Sequence, residues 1–125
     1  MKLSRTLLAA FGVLSTVSVA AAEDFMITYH VERTPSKVLS LDECTDLLER
    51  QAKAAGYRVA VDRHAGQLGV VSGGPERGGS FIAHCIAVDE KTVSVIQGLD
   101  YAPAKGPVGA FADRAHDALM AVAKK

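Results

Sequence analysis

At 125 residues, 49% of them apolar and 22% charged, the chain can bury a core in one domain and is too short for two. Its 14 lysines and arginines balance 14 aspartates and glutamates and form no basic stripe, which argues against nucleic acid and anionic membranes as partners. The two cysteines include no Cys-x-x-Cys, so a redox-active pair lacks its usual motif.

The chain opens with Lys2 and Arg5, an apolar run from Leu7 to Val19, and Ala20-Ala21-Ala22 leading into Glu23-Asp24. That order predicts a secretory signal peptide over residues 1–22, cut after Ala22, with small residues at the positions a signal peptidase reads. A membrane anchor is disfavoured, because Leu7 to Ala22 is interrupted by Gly12, Ser15, Thr16 and Ser18 and a spanning helix needs about 20 mostly apolar residues. Cleavage leaves a domain over residues 23–125 with a net charge of about −2, free of the membrane and addressed to the periplasm or the outside.

Phe25 to Arg33 alternates, with Phe25, Ile27, Tyr29 and Val31 on one side and Met26, Thr28, His30 and Glu32 on the other. Period two with β-branched and aromatic residues predicts a half-buried strand, ended by Thr34-Pro35-Ser36. Ser40 and Glu43 form a capping box for a helix over Leu41 to Ala55, which stops at Gly56. Its apolar side carries Leu41, Cys44, Leu47, Leu48, Ala52 and Ala55. Tyr57 to Arg63 alternates again, and His64 to Gln67 turns it into a third strand, Leu68 to Ser72. Gly73 to Gly79 is a loop by composition. Ser80 to Asp89 is a longer strand, turned at Asp89-Glu90-Lys91 into Thr92 to Gln97. Gly98 to Pro107 then leads to a final helix of Gly109 to Lys124, apolar at Phe111, Ala115, Ala118, Leu119 and Val122. The order β-α-β-β-β-β-α with short hairpin connections predicts an α+β two-layer sandwich: a mainly antiparallel sheet with both helices on one face.

In an oxidising compartment Cys44 and Cys85 are expected to form a disulfide. Cys85 must then face the helices, with Phe81, Ala83 and Ala87 on the same inner side. Ile82, His84, Ile86 and Val88 consequently point away from the helices, where an uncovered sheet should be polar. Three aliphatic residues there point to an interface, either with a second copy or with another protein. His30, Glu32 and His84 form the alternative: placed together on the outer face, two imidazoles and a carboxylate could hold zinc or copper. His64 falls in a turn, and His116 lies among Asp113, Arg114 and Asp117 on the polar side of the last helix. The loop Gly73 to Gly79 lacks the Gly-Lys-Ser/Thr ending of a P-loop and reads as a flexible hairpin loop, with Arg77 at most an opportunistic anion contact, and Gln97 to Tyr101 is the other candidate site loop.

The signal peptide, Thr28-Tyr29-His30-Val31-Glu32-Arg33, the cysteine pair and Val93-Ser94-Val95-Ile96-Gln97-Gly98 together resemble small exported proteobacterial proteins of a family of unknown function. Such a resemblance implies no catalytic residues and no cofactor. The expectation is a non-enzymatic binding or protein-interaction module. A small metal-dependent or hydrolytic enzyme using His30, His84 and Glu32 is the alternative.

Overall fold

A computed structural model of the protein describes residues 24–125; the expected signal peptide lies outside the described residues. The elements are β1 (Met26–Pro35), α1 (Leu41–Ala54), β2 (Arg58–His64), β3 (Leu68–Gly74), β4 (Gly79–Val88), β5 (Lys91–Asp100) and α2 (Pro107–Ala123). They form one five-stranded sheet of order β1-β5-β4-β3-β2, antiparallel at every step. The α+β order predicted from the sequence is therefore the order found. Helix α1 carries the chain from the β1 edge to the β2 edge, and three hairpins walk back until β5 lies beside β1.

Local chemistry sets the ends of these elements. The capping box forms in full: Glu43 N–H donates to Ser40 Oγ at 3.1 Å, and Ser40 N–H donates to Glu43 Oε2 at 2.9 Å. Strand β3 runs on through Gly73 and Gly74, which pair with Val59 and Arg58, because backbone pairing outweighs their loop-like composition. Strand β5 likewise continues past Gln97 to Asp100, paired on both sides by β1 and β4. At Gly98 in this extension a side chain would meet the Val108 carbonyl oxygen at 2.7 Å, so glycine lets α2 approach the sheet closely.

Both helices cover one face, α1 over β2, β3 and β4 and α2 over β1 and β5. Between the layers lie Leu39, Leu48, Val71, Ile96, Phe111 and Leu119, each at most 1% exposed. Tyr57, Phe81 and Phe111 meet as tilted rings with centroids 4.8–6.0 Å apart.

One orientation differs from the sequence reading. The polar side of β1 faces the helices, and its apolar side faces out. His30 is paired across β5 with the buried Ile96, and Thr34 with the buried Thr92, whereas Ile27, Tyr29 and Val31 are exposed. The cause lies on α2, which presents Asp113 and His116 to this strand and so gives its polar side chains partners.

Candidate functional site

The disulfide sets the geometry of the candidate site. Cys44 of α1 and Cys85 of β4 are bonded, with Cα atoms 6.1 Å apart and both side chains fully buried. Phe81 and Ala83 lie inward beside Cys85, as a period of two requires, while Ala87 is exposed at the strand end. Ile82, His84, Ile86 and Val88 therefore point outward.

The pairing register extends that outward row across the sheet. Tyr29, Gln97, Ile82 and Ser72 stand side by side in one row. Val31, Val95, His84 and Val70 make the next, and Arg33, Val93, Ile86 and Leu68 the one after. Ile27 and Leu99 continue the apolar area at one end, and Val88 at the other. No helix or loop among the described residues lies over this face. Tyr29 is 68% exposed, Ile27 and Val31 47% each, and Ile82 37%. Between Ile27, Ile82, Gln97 and Leu99 the surface dips into a groove of about 230 Å³. The charged groups sit at the margins: Arg33 and Lys91 at one corner, Asp62 and His64 on the β2 edge.

The histidines do not converge. His30 and Glu32 lie on the helix side of β1, and His84 lies on the opposite face of β4, so the three residues of the metal or hydrolytic reading have the sheet between them. The inversion of β1 is the physical reason. His30 instead meets α2: its Nε2 is 2.9 Å from Asp113 Oδ1, and its ring stacks on His116 with centroids 4.2 Å apart and planes 7° from parallel. Lys105 Nζ closes on the other carboxylate oxygen. Hydrogen bonds from Lys105 first, and then from His30, hold the Asp113 carboxyl below the usual aspartate range. Among the described residues no group of three or more His, Cys, Asp or Glu side chains is placed to hold a metal ion. His64 is exposed at the end of β2.

Two features escape the sequence reading. The first is this cluster, since Asp113 and His116 read as a solvated face until β1 is turned over. Their spacing of three residues opposite a polar strand side is the signal that could have found it. The second is Asp100, 1% exposed at the end of β5. Its carboxylate accepts the backbone N–H groups of Gly106 (2.8 Å), Val108 (3.0 Å) and Gly109 (2.8 Å). The N-cap of α2 is Gly106, which has no side chain, so Asp100 caps that helix from the neighbouring strand and meets the positive end of its dipole.

Comparison with known proteins adds a family and little else. A model described as a family of unknown function (DUF6180) matches residues 24–124. No curated protein matches the chain. Among solved structures, a crystal structure of Ara h 8.0201 aligns over 81% of this chain and 94% of its own at 12% identity. Its TM-score of 0.32 is too low to establish a shared fold. Among the described residues no helix is long and apolar enough to cross a membrane. That and the disulfide are compatible with an exported protein.

Proposed function

We propose, for a chain that belongs to the family of unknown function DUF6180, an exported, non-enzymatic interaction module whose uncovered sheet face docks a second copy of the same chain. The observation that carries this reading is the continuous apolar outer face of β1, β5, β4 and β3. Aliphatic side chains dominate its centre, interrupted by the polar Gln97 and His84, and the Arg, Lys and Asp charges are confined to its margins, as in the buried part of a protein interface.

Size and self-complementarity favour a second copy as the occupant. From strand lengths and spacings the face offers roughly 700 Å² before side-chain relief is counted, close to the about 800 Å² per partner of a standard interface. An aliphatic face is complementary to itself, and sheets pack face to face with their strands nearly aligned. A two-fold axis along the central strand β4 lays β1 of one copy over β2 of the other. Arg33 of each copy then lies over His64 of its mate, with Asp62 one row farther along the same edge. Export is part of the proposal, supported by the basic-apolar-small order of residues 1–22 and by the disulfide.

Sedimentation velocity of the mature, oxidised chain tests the reading. A dimer is expected at micromolar concentration, and Ile82→Lys, which places a charge at the centre of the face, should weaken it by more than about tenfold. Far-UV circular dichroism and a thermal melt establish that the variant still folds. A wild-type chain that stays monomeric over the same concentration range contradicts the proposal.

A further inference from the structure

The Gly73 to Gly79 segment and Tyr101, the residue that follows β5, meet at one end of the sheet around an open cleft of about 510 Å³. That volume lies within the range of small-molecule sites. Arg58 and Arg77 line it, and neither makes an ion pair among the described residues. By contrast Arg63, on the same strand as Arg58, is bound by Asp46 at 2.5 Å, with Asp42 and Glu49 beside it. On another wall Tyr101 and Ser80 join hydroxyls at 2.9 Å, and the Tyr101 ring is 51% exposed. Glu76 also lines the cleft, leaving it one net positive charge.

The floor is made of glycine for a structural reason. A side chain at Gly73, where φ is +156°, would strike the Arg58 carbonyl oxygen. Glycine there keeps β2 and β3 paired up to the cleft and leaves Arg58 at its rim.

We infer that this cleft binds a small organic anion, its carboxylate or phosphate held by the Arg58 and Arg77 guanidiniums and its ring or apolar body laid on Tyr101. Guanidinium is the side chain best suited to hold such oxyanions, through paired N–H donors. The Ser80 and Tyr101 hydroxyls add donors on the facing wall. This inference is independent of self-association, because it rests on the loops and arginines at one end of the sheet and not on the aliphatic centre of the face.

The test is an amide-resolved NMR titration of the mature, oxidised chain with benzoate, phenyl phosphate and inorganic phosphate, at constant ionic strength. The inference expects saturable shifts at Gly73, Gly74, Gly78, Gly79 and Tyr101 with at least one organic probe. Benzoate against phenyl phosphate tells which oxyanion is preferred. Either of Arg58→Gln and Arg77→Gln should weaken binding by about tenfold, as loss of one charge-assisted contact requires. Arg50→Gln, on the exposed side of α1, should leave it unchanged. Shifts that do not saturate with any probe, or that weaken equally in Arg50→Gln, overturn the inference. Repeating the titration on Ile82→Lys separates it from the dimer, since the cleft should bind as well in a monomer.

Discussion

Asp113 receives Lys105 on one oxygen and His30 on the other, and those two hydrogen bonds lower its pKa. A carboxyl with a depressed folded pKa adds stability that is complete above its unfolded value of about 3.9 and is lost as pH falls through the lower, folded value. Because the side chain is 38% exposed, the contribution is held to under about 1 kcal/mol. Urea unfolding followed from pH 6 to pH 2 should show wild type above Asp113→Asn by a constant margin down to about pH 5, and that margin should close below about pH 4. Asp100 differs in kind: it is buried and accepts three backbone N–H groups, so removing it strands the two buried donors of Val108 and Gly109. Asp100→Ala should destabilise the fold by about 2–3 kcal/mol, read from the urea midpoint at an unchanged slope. Neither role was legible in the sequence. An aspartate at the end of a strand does not reveal which helix end it will meet.

At the scale of elements, the signals that could be read were local ones. Ser40 and Glu43 announced α1, and Asp89-Glu90 announced the β4–β5 turn, because each depends on residues a few positions apart. That turn holds Asp89 and Glu90 at φ +46° and +60°, a conformation that side chains bearing a Cβ resist. Glu90→Gly should therefore stabilise the fold by about 1 kcal/mol, seen as a raised melting temperature. The face of β1 was not local information. Alternation established that its two sides differ, and Asp113 and His116 on α2, more than 80 residues away, decided which side turns inward. The Cys44–Cys85 bond is the strongest link between layers, tying α1 to β4 across a sequence separation of 41. Paired replacement of both cysteines by alanine should cost about 4 kcal/mol through loop closure in the unfolded chain, measured by chemical denaturation.

For the whole molecule, the two-layer arrangement followed from element order and hairpin spacing. The strand order did not, because the pairing of β1 with β5 joins the first strand to the last. The candidate face was half legible for the same reason. Fixing Cys85 inward placed Ile82, His84, Ile86 and Val88 outward, while Ile27, Tyr29 and Val31 joined them only through the β1–β5 register. The enlarged face makes self-association a size-matched proposal, and the same inversion of β1 separates His30 and Glu32 from His84. The direct test is an isotope-filtered NOE experiment on a mixture of labelled and unlabelled mature chains, which sees only contacts between copies. Intermolecular NOEs are expected among the methyls of Ile82, Ile86, Val95 and Val70, and none to core methyls such as those of Leu119. Contacts between copies confined to other surfaces, or no intermolecular contacts at all, would contradict it.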